Sequence, residues 1–285
     1  MANAPIRIVE GDARILPGIP PESIELIVTS PPYPMIPQWD PLFERLGALD
    51  YGAMHQVLSS AWQAAHRVLV DGGILAVVVG DALRSSNGDF RLWPNHATIT
   101  EECVKRGFEP LPYVLWQKPT NKPNAFLGSG FLPPNAYVTL DCEFVLLFRK
   151  GGLRRFPPKD SRRRASEFTR GQRDRWFSQI WNGIRGASQG PPDQRTGAFP
   201  PQIPDRLVRM FSCLGETVLD PFAGTGTTLW SANRWGRAAV GVEIDPDLAE
   251  ALRVRAQEVM ARPAGTPAGR RGDGRAPPRP RSRDS

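Results

Sequence analysis

Two short peptides hold the residues best placed to do chemistry. The first is Thr29-Ser30-Pro31-Pro32-Tyr33. Consecutive prolines set φ at about −65° and carry no amide hydrogens, which leaves the carbonyls of Ser30 and Pro31 as a rigid row of acceptors. Such a row suits a donor. A base amino group offers two hydrogens, the Ser30 hydroxyl adds another acceptor, and the Tyr33 ring offers a face on which a base can stack. A plain loop stop is the competing reading, since proline pairs mark loops. The second peptide is Asp220-Pro221-Phe222-Ala223-Gly224-Thr225-Gly226-Thr227-Thr228. A strand leading through Gly224 and Gly226 into a helix presents amide hydrogens and the positive end of a helix dipole to a ligand. Glycine at both positions lets the backbone approach closely. A Walker loop would have Lys after the last glycine, where this chain has Thr227-Thr228, and a dinucleotide loop would have a third glycine where it has Leu229. Glu243 ends the next strand 23 positions after Asp220, the usual spacing for an acid that grips ribose hydroxyls in a βαβ unit.

Together the two peptides resemble the amino-methylating DNA methyltransferases that use S-adenosylmethionine (SAM). The resemblance implies that Ser30, Pro31, Pro32 and Tyr33 form the catalytic motif, in the Ser-Pro-Pro-Tyr form of the cytosine-N4 branch. The adenine-N6 branch more often begins with Asp, and adenine N6 stays open as the alternative target. It also implies a SAM site containing Asp220, Phe222, Gly224, Gly226, Thr227, Thr228 and Glu243. The donor is a cationic sulfonium without phosphates, so an acid ahead of the glycines suits it better than Lys does. By the same resemblance Asp12 sits at the edge of the SAM adenine and accepts from its amino group. Phe199, in Thr196-Gly197-Ala198-Phe199-Pro200, is expected to wall the cofactor; that motif usually begins His-Pro, so Thr196 departs from the pattern. The motif order, catalytic then basic insert then SAM-binding, is similar to the β group. The implied partner is double-stranded DNA with the target base flipped out. The implied role is the modification enzyme of a restriction-modification system. No Pro-Cys nucleophile stands at the catalytic loop, which argues against methylation of cytosine C5. From other classes, a Rossmann-type oxidoreductase and a catalytically silent DNA-binding module remain as alternatives.

The elements that must position these residues are legible as hydrophobic patterns. Short apolar runs predict seven strands, around Ile8, Val28, Val77, Val114, Leu146, Leu219 and Val242. The run 74–79 is nearly continuous, as in a strand buried on both faces. Apolar residues at helical spacing from Ala53 to Leu69 predict an amphipathic helix that Asp71-Gly72-Gly73 ends. Residues 96–106 predict another, and Leu207, Met210, Phe211 and Leu214 mark the face of a third. Asp245 reads as the N-cap and Pro246 as the first residue of a final helix. Residues 85–88 read as a polar loop, and the long loop with Asn121, Lys122, Asn124 and Phe126 joins two strands that can pair antiparallel. The expected fold is α/β, a three-layer, mostly parallel seven-stranded sheet of the SAM-dependent methyltransferase, Rossmann-like kind. Trp39 reads equally as the wall of a base pocket and as cover for the core.

Charge adds a third feature. The chain has 285 residues and a net charge of +7, but the excess is local. Residues 149–175 contain 11 Lys or Arg against 3 Asp or Glu, a balance of +8, and residues 263–285 add +4, leaving the remainder at −5. A basic patch on an acidic domain fits a phosphate-backbone footprint. Arg154, Arg155, Arg162, Arg163, Arg164 and Arg170 are the expected DNA contacts, interleaved with Phe156, Phe168, Trp176, Phe177 and Trp181 as stacking surfaces; a solvated basic loop is the plainer reading. The domain plan is a catalytic part over residues 1–150, a basic target-recognition insert over 151–195, a SAM-binding part over 196–262 and a disordered basic tail over 263–285. Cys103, Cys142, Cys213, His55, His66 and His96 show no metal-ligand spacing. With no apolar stretch of membrane length and no leader-like N-terminus, the expectation is a soluble cytoplasmic protein without membrane contact. A homodimer and a cognate restriction endonuclease are compatible with this reading, and neither is legible in one chain.

Overall fold

The computed structural model describes residues 4–86, 89–118, 138–186 and 197–261. Thr196, the loop with Asn121, Lys122, Asn124 and Phe126, and the basic tail lie outside the described residues. In chain order come β1 (Ile6–Glu10), β2 (Ile24–Thr29), a 3-10 turn (Pro37–Trp39), α1 (Asp40–Arg45), α2 (Tyr51–Val68) and β3 (Leu69–Val79). They are followed by β4 (Ala82–Ser86), β5 (Asp89–Trp93), α3 (Asn95–Lys105), β6 (Phe108–Gln117), β7 (Cys142–Lys150), α4 (Ser161–Ala165), α5 (Arg170–Trp176) and β8 (Ile180–Trp181). The remaining elements are α6 (Gln202–Phe211), β9 (Thr217–Asp220), α7 (Thr227–Arg234), β10 (Ala238–Glu243) and α8 (Pro246–Ala261).

All seven expected strands are present in one sheet, ordered β1-β10-β9-β2-β3-β7-β6-β8. The strands from β1 through β3 are mutually parallel. β7 runs antiparallel to both of its neighbours, β3 and β6, as the long loop between β6 and β7 permits. Period-two alternation sorts each strand's side chains between two cores. Leu26, Val28, Ala76 and Val78 pack on one face with Ile203, Leu207, Leu229 and Leu252 of α6, α7 and α8. Ile24, Ile27, Leu75 and Val77 pack on the other with Leu58, Trp62 and Ala65 of α2 and Ile99 of α3. Covering both faces is why β2 and β3 read as continuous apolar runs. Each of the Val, Leu and Ile side chains among them contributes about 1.5–3 kcal/mol when fully buried.

The structure corrects five details. Helix α2 begins at Tyr51, where the Asp50 side chain accepts from the Ala53 amide at 2.8 Å. It gives way directly to β3 at Leu69, so Asp71-Gly72-Gly73 lies inside the strand and is not a helix stop. Gly72 has φ of 74°, and a Cβ there would lie 2.6 Å from the Arg154 amide nitrogen; close passage of the chain at Arg154 demands the glycine. Ser85 and Ser86, expected in a polar loop, belong instead to β4, which pairs antiparallel with β5. An eighth strand, β8, pairs parallel with β6 through Leu115 and Trp116. At two residues it is too short for periodicity to register, and it ties the basic insert into the main sheet. Finally, α6 ends at Phe211, leaving Leu214 outside it.

Candidate active site

β2 and β9 are adjacent, with Leu26 opposite Val218 and Ile27 opposite Leu219. Their carboxyl ends therefore deliver the Ser30 loop and the Asp220 loop side by side, at the edge of a parallel sheet where ligands bind. The Thr29 hydroxyl donates to Asp220 Oδ1 at 2.6 Å, and the Phe222 amide donates to the same oxygen at 3.1 Å. Burial pushes the Asp220 carboxyl from 3.8 up to about 6, against the opposing hydrogen bonds from Thr29, Phe222 and Thr228. A positive neighbour would favour the ionised form of this buried acid and draw its pKa back down.

The two glycines of the loop do different work. Gly224 has φ of 51°, and the atom nearest to an added Cβ is the Phe222 carbonyl at 3.9 Å, so its backbone is approachable. Gly226, at φ of 78°, is the N-cap of α7, and a Cβ there would strike Leu252 at 2.7 Å and the Trp230 ring at 2.8 Å. Glu243 closes the site from β10. Its Oε2 accepts from the Gly224 amide at 2.8 Å and its Oε1 from the Asp245 amide at 3.0 Å. Each carboxylate oxygen retains acceptor capacity, suited to a pair of hydroxyls. Asp12 is held by Arg14 through a 2.6 Å ion pair and a backbone bond at 2.8 Å. Burial would raise its pKa, but the hydrogen bonds and charge of Arg14 outweigh this and lower it.

These groups surround one cavity of about 380 Å³. Asp12, Ser30, Pro32, Phe199, Asp220, Phe222, Gly224, Thr227 and Glu243 all line it. Pro31, Tyr33, Gly226 and Thr228 are not among its lining residues. Thr228 is buried and donates to the Val28 carbonyl at 3.2 Å, tying α7 to β2. Sequence reasoning missed Arg14, Leu58, Ala61 and Leu248 in the wall, where α2 and α8 supply apolar surface. Trp39, read two ways from the sequence, lies in the cavity wall, and a Cβ on Gly197 would come within 2.7 Å of its ring. Three carboxylates and apolar walls, with Arg14 in the lining already paired to Asp12, make an acceptor set for a cationic, hydroxyl-bearing aromatic molecule rather than for a polyphosphate.

Beside the cavity the catalytic loop is braced from several elements. Ser30 Oγ donates to Tyr33 Oη at 3.0 Å, and Tyr33 Oη donates to Glu143 Oε2 at 3.2 Å. The other Glu143 oxygen pairs with Lys118. The Tyr33 ring lies against Gly80, where a Cβ would be 3.3 Å from its edge. Buried Asn95 donates to the carbonyls of Pro34 at 3.0 Å and Gly80 at 3.1 Å, stitching the loop to the end of β3. The turn closes through Met35, which holds a left-handed φ of 64°, a conformation that costs a bulky residue about 1–3 kcal/mol and persists where surrounding structure enforces it.

The described part of the basic insert, residues 151–186, is folded. A capping box joins Thr169 and Gln172 at the start of α5, and Trp176, Trp181 and Ile184 are buried. Trp181 Nε1 donates to the Trp176 carbonyl and Trp116 Nε1 to the Ile184 carbonyl, each at 2.9 Å. Trp176 and Trp181 are thus anchors rather than free stacking faces; of the five aromatics, Phe177 is the most exposed, at 52%. Arg154 also differs from expectation. Its guanidinium pairs with both Glu216 oxygens, at 2.9 and 3.0 Å, and so serves the interior. Arg155, Arg162, Arg163, Arg164 and Arg170 are exposed, with Arg163 lying over the Phe156 ring.

The sheet, its helices and a cavity at the carboxyl ends of β2, β9 and β10 define a SAM-dependent methyltransferase fold. Residues 24–253 match the N6_N4_Mtase family model, described as DNA methylase, and the chain belongs to this family of N6/N4 DNA methylases. Membership sets aside the oxidoreductase alternative. The Type II methyltransferase M.MjaI of Methanocaldococcus jannaschii is 53% identical over 85% of this chain and 88% of its own length. M.MthZI of Methanothermobacter thermautotrophicus is 40% identical over 84% and 73%. Among solved structures, a DNA modification methylase of Thermus thermophilus in complex with S-adenosyl-L-methionine superposes with a TM-score of 0.71 at 38% identity, covering 90% of this chain and 96% of that one. The PvuII cytosine-N4-specific DNA methyltransferase shares the fold at 18% identity, with a TM-score of 0.62 over 93% and 89%. No helix among the described residues is long and apolar enough to cross a membrane.

Proposed function

We propose that this protein, a DNA methyltransferase of the Type II modification class, transfers a methyl group from SAM to N4 of a cytosine everted from double-stranded DNA. The observation that carries the reading is that Ser30 and Pro32 line the same cavity as Asp220, Gly224 and Glu243. SAM, when bound, supplies an electrophilic methyl on a cationic sulfonium. Asp220 and the Gly224 backbone hold the cationic amino-acid end, Glu243 accepts from the ribose hydroxyls, Asp12 meets the adenine amino group, and Phe199 covers the ring. Ser30 accepts from the target amino group at the cavity rim, and the Pro31 carbonyl takes its second hydrogen. This holds the nitrogen lone pair in line with the methyl carbon. Alignment of that kind lowers a barrier by several kcal/mol, up to roughly 7–11 in the best-oriented cases, without a covalent intermediate. Everting the base costs a few kcal/mol, which stacking on Tyr33 and contacts in the pocket offset. Exposed Arg155, Arg162, Arg163, Arg164 and Arg170 neutralise backbone phosphates. Ser at position 30 favours cytosine over adenine by its resemblance to the N4 branch.

The test is mass spectrometry of nucleosides from duplex DNA of varied sequence treated with the protein and SAM. N4-methylcytosine is expected; N6-methyladenine would move the target to adenine, and unmodified DNA would overturn the reading. Tyr33→Ala should lower turnover while calorimetry shows SAM binding intact, and wild-type turnover in that variant would remove Tyr33 from the base pocket.

A further inference from the structure

We propose that Glu143 is a positioning residue for methyl transfer: it sets the direction of the hydrogen bonds between Tyr33 and Ser30 so that the Ser30 oxygen faces the target amino group as an acceptor. The inference rests on the reading of Ser30 given above. Glu143 lies on β7, 110 positions from Tyr33 in the chain, and its side chain is 15% exposed. It shares with Tyr33 the space over Gly80, where an added Cβ would lie 3.2 Å from Glu143 Cγ and 3.3 Å from Tyr33 Cε2. Any side chain at position 80 would therefore push the two apart.

A serine hydroxyl can present either a hydrogen or lone pairs to its neighbour, and nothing in the loop's own sequence decides which. The decision comes from the chain of partners behind it. Glu143 has one oxygen on Lys118 and the other 3.2 Å from Tyr33 Oη. A carboxylate has no hydrogen to give, so Tyr33 must donate to it. Burial, and then the Glu143 charge, push the Tyr33 phenol well above its ordinary value, so the hydrogen it donates is retained at working pH. The phenol oxygen then accepts from Ser30 Oγ at 3.0 Å, which spends the one Ser30 hydrogen away from the site. Both Ser30 lone pairs remain for the amino group. Reversing the chain would aim the Ser30 hydrogen at an amino group that already carries two.

A double-mutant cycle on single-turnover methylation tests this. Glu143→Gln presents an amide that donates to Tyr33 and turns the chain around. It should slow methyl transfer roughly tenfold to hundredfold, the range of a lost charge-assisted hydrogen bond, with the dissociation constants for SAM and DNA unchanged. In a Tyr33→Phe background there is no hydroxyl to direct, and the same substitution should add less than about twofold. Equal losses in both backgrounds would overturn the relay and leave Glu143 a structural residue. So would loss of SAM binding in Glu143→Gln, because neither Glu143 nor Tyr33 lines the cofactor cavity. If the amide variant does not fold, Glu143→Met goes through the same cycle under the same criteria. Failure of the functional reading is distinct, since wild-type protein would then leave no methyl on base amino groups.

Discussion

The Thr29 hydroxyl donates to the Asp220 carboxylate across 2.6 Å, although 191 positions separate them in the chain. This bond joins the last residue of β2 to the last residue of β9, and so welds the base-handling loop to the cofactor loop. It also opposes the upward push that burial gives the Asp220 carboxyl.

With Asp220 raised to about 6, the sign of its pH effects can be worked out. In the ligand-free protein the raised value contributes stability that is present below 3.8 and lost as pH rises through about 6. Binding of a cation runs the other way, because it needs the ionised form. SAM affinity should therefore fall as pH drops through about 6, approaching tenfold per unit. Asp220→Asn should bind weakly and without this dependence. Calorimetric titrations across that range check both, and a pH-independent affinity in the wild-type protein would separate Asp220 from the sulfonium end.

Gly226 and Gly224 should respond differently to alanine. At Gly226 the left-handed backbone and contacts of 2.7–2.8 Å with Leu252 and Trp230 act together, so Gly226→Ala should destabilise by about 1–3 kcal/mol. Gly224→Ala carries the left-handed backbone strain, at φ of 51°, without the steric clash, so it should destabilise less than Gly226→Ala and chiefly weaken SAM binding. Thermal melts with and without SAM distinguish the two.

Arg154 and Arg164 belong to the same basic run but should have separate phenotypes. Arg154→Ala leaves the buried Glu216 carboxylate unpaired and should cost about 3 kcal/mol of stability. Arg164→Ala should leave the melting temperature unchanged, weaken DNA binding evenly across sequences and reduce the salt slope by about one. Equal melting temperatures for the two variants would show that the Glu216 pair is not structural.

Asn95 should matter to catalysis from a distance. It is fully buried and bonded to the carbonyls of Pro34 and Gly80. Asn95→Ala orphans both acceptors, at a cost of about 1–3 kcal/mol, and should lower kcat with little change in SAM affinity. Unchanged kcat with a lowered melting temperature would confine Asn95 to stability.

Much of this architecture was readable from local pattern. Ile24, Leu26, Ile27 and Val28 mark a buried strand wherever they sit. Asp245-Pro246 announces a helix start, and the Asp245 side chain does accept from the amides of Asp247 and Leu248. The two-residue β8 carries too little pattern to detect, and the β4–β5 hairpin is polar enough to pass for a loop. Arg154 was indistinguishable from its neighbours, because nothing local to it reveals Glu216. Trp176 and Trp181 had the same composition signal as exposed stacking rings, and only packing separates anchor from surface.

The sequence alone determined which residues carry acceptors, carboxylates and glycines, and that the strands ending in them are buried on both faces, since these follow from side-chain chemistry and from periodicity over a few residues. The tertiary structure decided which of those groups share one cavity, which arginine is withdrawn into an internal pair, and that Glu143 stands behind Tyr33. Those facts depend on strand order and register, which bring together atoms more than a hundred residues apart and leave no mark within any short stretch of chain.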